Sequence, residues 1–277
     1  MRHVRIDPSA HRQEVFYTAC ERGPGVMVES FLNDDRIDPM SLVPTARDNP
    51  LFGLRTAIER ACMGGCLDVV NVLLQDARVD PSVREQRALS VACAHRHNNV
   101  VERLLLDDRV DPSGDDNMAL VTAVYNGDKT MMERLLDDDR VDPSARGQSA
   151  FHAAVCGNHV DIVVRMLEHP SVDPQRYNQL VLHGAIVCQR EAVVDVLVRD
   201  GRVDAAMDGN WYIREAFRLG NVALVQSLLR DERVASDTHT LVELRNGATA
   251  SAQAGMVRVL QACLDRQATC ESTTCTR

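Results

Sequence analysis

The sequence contains few aromatic residues, which make up 4% of its 277 positions. A compact enzyme normally fills its interior with Phe, Tyr and Trp, whereas a thin stack of short helices is filled by Ala, Leu, Val and Met. Because 45% of the residues are apolar, the chain still has enough apolar side chains for a core. The scarcity of aromatic residues therefore favours an array of small helical repeats.

The sequence also lacks an excess of basic residues, a long apolar run and a signal peptide. A formal charge of −9 argues against a nucleic-acid partner, because binding phosphates requires clustered Lys and Arg. No apolar run approaches the roughly 20 residues that span a bilayer, and residues 1–7 contain no apolar h-region. We therefore expect a protein that binds neither nucleic acid nor a membrane.

A short motif of a β-branched residue, Asp and usually Pro recurs along the chain. Its copies are Ile6-Asp7-Pro8, Ile37-Asp38-Pro39, Val79-Asp80-Pro81, Val110-Asp111-Pro112, Val141-Asp142-Pro143, Val172-Asp173-Pro174 and Val203-Asp204-Ala205. The spacing is 31 residues, apart from one gap of 42 between Asp38 and Asp80. Such regularity is the signature of a repeat array.

Each repeat has the pattern of two short helices. An alanine lies 19 residues before each later motif, at Ala19, Ala61, Ala92, Ala123, Ala154, Ala185 and Ala216. Four residues further on, the residues able to end a helix in a left-handed conformation are Gly23, Gly65, Arg96, Gly127, Asn158, Gln189 and Gly220. Paired apolar residues, as in Val69-Val70 with Leu73-Leu74, then form one face of a second helix. The proline of the motif ends that helix in an extended Arg-Val-Asp-Pro loop.

This unit resembles an ankyrin repeat, most clearly in residues 149–163, where Phe151-His152-Ala153-Ala154 and Gly157-Asn158 are similar to the family's pattern. Two departures are a length of 31 rather than the usual 33 residues and the loss of most of the Thr-Pro-Leu-His tetrapeptide. Short units with an Arg-Val-Asp-Pro loop resemble the divergent arrays of large DNA viruses and protists.

The resemblance implies an all-α helical solenoid of about eight helix-turn-helix units with projecting loops, spanning residues 1–268. The 42-residue gap predicts an insertion loop at about residues 40–50. The stretched final repeat predicts a degenerate C-terminal cap at about 236–268, and residues 269–277 are predicted to be a disordered tail. We expect a monomer.

The resemblance also implies a non-catalytic module that binds a protein on a concave surface, formed by loop tips and first-helix ends. These positions differ between repeats, and Arg and Tyr are frequent in interface hot spots. The predicted partner-binding residues are Arg84, Tyr125, Arg146, Arg176, Tyr177 and Arg218. Trp211 is predicted either to anchor a ligand or to pack internally. A substrate-recruiting adaptor of a ubiquitin ligase is the alternative function, although no F-box-like segment lies outside the repeats.

Residues that recur at a fixed register are interpreted as scaffold, since binding specificity needs variation between repeats. The Arg two residues before each motif Asp is expected to pair with a carboxylate, while the Asp accepts turn amides. An amide that recurs six residues after most motifs is expected to bind backbone groups of a neighbouring loop. These amides are Gln13, Gln86, Asn117, Gln148, Gln179 and Asn210.

The nine cysteines are an odd number in a chain with no visible signal peptide, which predicts reduced thiols in the cytoplasm or nucleus. Cys20, Cys62 and Cys93 share one register, where other repeats carry apolar residues, so they are predicted to lie in the core. No second pair at zinc-site spacing accompanies them. The sequence contains no nucleophile elbow, phosphate-binding glycine loop or His-Glu-x-x-His helix. We therefore predict no enzyme activity, metal or cofactor.

Overall fold

A computed structural model describes residues 8–44, 54–175 and 178–274, and these residues are almost entirely helical. The chain divides into two compact units, Met1–Ala145 and Arg146–Arg277. In the first unit the elements are α1 (Pro8–Arg22), α2 (Gly25–Leu32), β1 (Val43–Pro44), β2 (Leu54–Arg55), α3 (Ala57–Gly64), α4 (Leu67–Gln75), α5 (Val83–Ala94), α6 (Asn98–Leu105), α7 (Gly114–Tyr125) and α8 (Lys129–Leu136).

The second unit contains the remaining helices of the described residues. They are α9 (Ala145–Gly157), α10 (Val160–Leu167), α11 (Asn178–Val187), α12 (Glu191–Asp200), α13 (Met207–Arg218), α14 (Val222–Leu228), the short α15 (Glu232–Ala235), α16 (Thr238–Ala250) and α17 (Ala254–Thr274). Apart from α15, the helices form eight consecutive pairs, each a first and a second helix. The predicted all-α array of about eight helix-turn-helix units is confirmed.

Within each unit, helices of one kind pack beside their own kind. In the first unit α1, α3, α5 and α7 are neighbours in that order, as are α2, α4 and α6. In the second unit α11 packs against α13, and α12 packs against both α10 and α14. Every helix therefore buries its apolar stripe against the equivalent helix of an adjacent repeat, which is how short helices become stable in a repeat protein.

The core is made mainly of small and aliphatic side chains. Ala61, Ala92, Ala154 and Ala185 are buried at the predicted register, where a larger side chain would hold the first helices apart. The paired apolar residues of the second helices are buried too, as in Val100-Val101. Burying one such aliphatic side chain contributes about 1.5–3 kcal/mol. A core of this kind needs few aromatic residues, which explains their scarcity in the sequence.

First helices end in the left-handed conformation at six of the seven predicted positions. The residues with positive φ are Gly65, Arg96, Gly127, Asn158, Gln189 and Gly220, with φ between 54° and 70°. Gly23 is the exception, and its prediction was wrong. The residue after it is Pro24, and a proline restricts the backbone of the residue before it to other conformations.

The loop-to-helix junctions contain a left-handed turn that the sequence did not reveal. Residues 84–86, 115–117, 146–148 and 208–210 each have three consecutive positive φ values, between 49° and 66°. A non-glycine residue pays about 1–2 kcal/mol for this conformation, so the turn needs support from other contacts. The third residue of three turns supplies it, because Asn117, Gln148 and Asn210 are buried and hydrogen-bonded to the next loop or helix start.

The amides bind the backbone of the next motif Asp, as predicted. Nε2 of Gln148 donates to the carbonyl of Asp173 at 2.8 Å, and its Oε1 accepts from the amide of the same residue at 3.1 Å. Gln13 makes the same pair of bonds to Asp38, with distances of 2.5 and 3.2 Å. Each amide therefore satisfies both polar groups of one peptide residue in the neighbouring loop.

The arginines two residues before the motif Asp are held by the scaffold, again as predicted. Arg109 binds both carboxylate oxygens of Asp107 at 2.8 Å, and it donates to the carbonyls of Val79 and Leu74 in the preceding repeat at 2.9 Å. The members of this set, here called the loop arginines, are Arg36, Arg78, Arg109, Arg140, Arg202 and Arg233. All but Arg36 also donate to a backbone carbonyl of the preceding repeat.

The pKa values reflect this pairing. Hydrogen bonds from the loop arginines lower the pKa of Asp76, Asp107 and Asp138. The motif residue Asp80 has a lowered pKa because it accepts hydrogen bonds from the side chain and amide of Ser82. These carboxylates are ionised acceptors of the loops, with their donors already in place.

The two irregular regions differ in part from expectation. β1 and β2 form an antiparallel pair on either side of residues 45–53, so most of the predicted insertion at 40–50 lies outside the described residues. Helix α17 continues to Thr274, through residues 269–274 of the predicted disordered tail. No glycine or proline follows Gly255, so no backbone-breaking residue ends the helix earlier. Residues 275–277 lie outside the described residues.

Candidate functional site

The first helices and the turns before them carry exposed residues that vary from repeat to repeat. We call this surface the first-helix face and consider it separately in each unit. Its variable positions come from the left-handed turns and from the last residues of the first helices. The exposed residues among them are Arg84, Ala94, His95, Tyr125, Arg146, Gly157, Val187, Cys188, Asp208 and Arg218. This is the surface on which the sequence predicts partner binding.

The described candidate residues are divided between the units, with Arg84 and Tyr125 in the first and Arg146 and Arg218 in the second. Tyr125, at the end of α7, is 73% exposed. Arg146 is exposed in the left-handed turn that begins α9, with φ of 49°. Arg218 is exposed but bound to Glu215 one turn earlier, at 2.6 and 2.8 Å. The candidates Arg176 and Tyr177 lie outside the described residues.

Arg84 is engaged with a buried carboxylate. Its Nη1 lies 3.1 and 3.3 Å from the two carboxylate oxygens of Glu59 and donates to the carbonyl of Leu54 at 2.6 Å. Glu59 belongs to α3, and its side chain is only 1% exposed. Burial raises the pKa of Glu59, while the neighbouring positive charges of Arg84, Arg87 and Arg55 oppose that rise. A buried carboxylate is stable only with such partners.

Glu59 belongs to a larger group of charged side chains in the first unit, which we call the arginine cluster: Arg55, Arg60, Arg84 and Arg87. Nε of Arg87 lies 3.8 Å from Oε2 of Glu59. Arg60 is buried, with Nη1 3.7 Å from a carboxylate oxygen of Glu21 and its guanidinium 5.2 Å from the ring centre of Tyr17. Burial lowers the pKa of Arg60, and the charge of Arg55 adds to that effect.

Sequence reasoning identified only Arg84 of this cluster. A signal for the rest was present in register, because Glu59-Arg60 occupies positions that hold Ser90-Val91 and Val121-Thr122 in the next two repeats. A consecutive pair of charges facing the middle of a first helix is unusual in this array. The pairing of the two residues with Arg87 and Glu21, distant in sequence, required the tertiary structure.

The second unit presents aromatic rings on its first-helix face. Trp211, at the start of α13, is partly exposed and stacks on the ring of His183 from α11, with 4.7 Å between ring centres and an angle of 18°. Trp211 also makes an edge contact with the buried Tyr212, at 5.4 Å. Of the two roles left open for Trp211, the structure therefore shows side-chain packing, with part of the ring still accessible.

The cysteines of the shared register are core residues, as predicted. Cys20, Cys62 and Cys93 are buried. Burial raises the pKa of Cys93 to about 12 and raises the pKa of Cys20 and Cys62 further. Their thiols are therefore protonated at neutral pH and poor nucleophiles. Among the residues that the structure describes, no group of three or more His, Cys, Asp and Glu side chains is placed to hold a metal ion.

The described part of the chain contains no helix that is both long enough and apolar enough to cross a membrane. The polar side chains of the first-helix face are mostly arginines and amides engaged in ion pairs or hydrogen bonds. Such groups are suited to binding a polypeptide surface through directed hydrogen bonds and charge.

Comparisons with known proteins agree with this architecture. A family model described as ankyrin repeats, in three copies, matches residues 58–147 and 120–207, which together span more than half of the chain. Among solved structures, the ankyrin repeat domain of Bcl-3, described as a unique member of the IkappaB protein family, has a TM-score of 0.55. It is 23% identical, and the match covers 70% of this chain and 89% of that one. At this identity the likeness concerns the fold alone. A search of curated proteins found no match.

Proposed function

Because the chain belongs to the ankyrin repeat family, we propose that it is a non-catalytic module that binds a protein partner through its first-helix face. Ankyrin repeat domains generally act as protein–protein interaction modules. The observation that carries this proposal is the contrast between repeated and variable positions. The repeated polar residues bind one another, whereas Tyr125 is exposed at a position that varies between repeats.

The physical features of the surface support binding rather than catalysis. Tyr125 offers a large ring with few rotatable bonds and a hydroxyl group, a combination that is frequent in interface hot spots. Arg146 and Arg218 add guanidinium groups in the second unit. The cytoplasm is the proposed location, since the core thiols remain reduced there.

An affinity capture from cell lysate, followed by mass spectrometry, tests this proposal. The wild-type chain is compared with Tyr125→Ala in the first unit and with a double variant, Arg146→Ala and Arg218→Ala, in the second. Leu106→Ala is the matched control, because Leu106 is also a large exposed side chain, at 80%, but follows a second helix. We expect a partner that the first-helix variants lose and the control retains.

Loss of the partner from Leu106→Ala alone, with full retention by both first-helix variants, would contradict the proposal. Circular dichroism of each variant establishes that its helices are intact. Recovery of ubiquitin-ligase subunits as the dominant partners would identify the adaptor function that the sequence left open.

A further inference from the structure

We propose that the arginine cluster of the first unit binds an acidic segment of the partner, whose carboxylates lie beside Glu59 and share its guanidinium groups. This inference rests on the proposed function and names the chemistry of the partner at one part of the first-helix face. It concerns Arg55, Arg84 and Arg87, with Arg60 behind them.

The first argument is the balance of charge. Glu59 provides one carboxylate, and three arginines act on it electrostatically: Arg84, Arg87 and Arg55. Arg60 adds a fourth positive charge, paired with Glu21 at 3.7 Å. Guanidinium groups bind carboxylates in planar, two-point geometry and carry more donors than one carboxylate can accept. The cluster therefore has an excess of positive charge that an additional carboxylate would neutralise.

The second argument is accessibility. The carboxylate of Glu59 is 1% exposed, whereas the side chains of Arg84 and Arg87 are 32% and 39% exposed. The negative charge is thus inside and the positive charges are outside, so an approaching partner meets donors first. Nε of Arg87 forms no hydrogen bond and is buried, 3.8 Å from Glu59. A small rotation of this side chain toward a ligand would cost no hydrogen bond at Nε.

The third argument is the contrast with the rest of the chain. The chain carries a net charge of −9 and repels acidic molecules at long range, so a local arginine excess makes the cluster the place where an acidic segment is tolerated. A nucleic acid would need a line of basic residues along its phosphates. A compact cluster around one buried carboxylate instead fits one or two carboxylates of a polypeptide.

Fluorescence anisotropy with labelled decaglutamate as the probe tests the inference on the full chain at low ionic strength. We expect Arg87→Gln to weaken decaglutamate binding about tenfold, as expected for the loss of one charge-assisted contact. Arg134→Gln is the matched control, because Arg134 is a 56% exposed arginine of the same unit, paired with Glu102 at 3.0 Å. It removes the same formal charge, and we expect less than about a twofold effect from it.

Equal weakening by the two variants, or equally tight binding of an oligothymidylate of the same charge, would overturn the inference. If Arg87→Gln unfolds, the wild-type chain still decides the question by nuclear magnetic resonance. Decaglutamate should then shift the amide signals of residues 84–87 and 55–60, and shifts confined to other residues would refute the cluster as the site. Decaglutamate binding that ignores Arg87, together with partner capture that still requires Tyr125, would reject this inference and leave the proposed function standing.

Discussion

The loop arginines and the arginine cluster show how one residue type serves two purposes in the same chain. Each loop arginine has its own Asp two residues earlier, and all but Arg36 also donate to a carbonyl of the preceding repeat, so the donors are largely used. In the cluster, Arg55, Arg84 and Arg87 surround the single carboxylate of Glu59. A charge that recurs with its partner is part of the scaffold, whereas a charge that appears once, in excess of its partners, is available for recognition.

The largest effect is expected at a repeated position. Gln148→Ala should lower the free energy of unfolding by about 2–3 kcal/mol, because it leaves the amide and carbonyl of Asp173 without their partner. Gln75→Ala, at an exposed amide at the end of α4, should change it by less than about 0.5 kcal/mol. Chemical denaturation measures both. Equal effects would mean that the repeated amides do not support the loops.

Removing a loop arginine should come next. Arg109→Ala deletes hydrogen bonds to Asp107, Val79 and Leu74, and we expect a loss of about 1–2 kcal/mol, reduced by partial exposure to solvent. Arg134→Ala, which breaks only an exposed pair with Glu102, should cost at most about 1 kcal/mol. Thermal unfolding of the two variants compares a scaffold arginine with a surface arginine. A larger loss from Arg134→Ala would reverse the assignment.

Acid should weaken the same contacts. The folded-state pKa of Asp107 is lowered by Arg109, so its stabilising contribution is present above the ordinary Asp pKa of about 4 and is lost as the pH falls toward the lower folded-state value. The difference in stability between wild type and Arg109→Ala should therefore shrink as the pH falls from about 5 to about 3. Urea unfolding at each pH measures it. A difference that grows in acid would show that the pair does not act through the ionised carboxylate.

A smaller effect is expected at the left-handed turn. Gly209→Ala should destabilise the protein by about 1 kcal/mol, because Gly209 has φ of 65° and an added Cβ has open space around it, so the cost is conformational. Gly247→Ala, within helix α16, should instead stabilise by about 0.5–1 kcal/mol through helix propensity. Calorimetry of both variants tests whether the turn is as strained as its dihedral angles indicate.

The smallest effect on stability is expected on the first-helix face. Tyr125→Ala should change the free energy of unfolding by less than about 0.5 kcal/mol, because the side chain is 73% exposed, yet it should abolish partner capture. Together with Gln148→Ala, it separates a position needed for folding from a position needed for binding. A strong loss of stability would place Tyr125 in the scaffold instead.

Local patterns in the sequence predicted most of the architecture. The motif spacing, the alanine register and the paired apolar residues identified the repeats because each reflects a contact within a repeat or with its neighbour. The errors arose where one residue altered a local rule or where no rule applied. Pro24 changed the conformation of Gly23, and helix α17 continued into Thr269–Thr274 in the absence of a residue that stops it.

The sequence by itself determined that the chain is an array of helix pairs, since periodicity and helix-ending residues are properties of neighbours along the chain. It also identified the loop arginines and amides as scaffold, because they recur. Only the tertiary structure decided that Glu59 is buried beneath Arg84 and Arg87. Those residues are 25 and 28 positions apart and become neighbours only when α3 and α5 pack side by side. Contacts between repeats depend on that packing, and no local pattern encodes which side chains will share a charge.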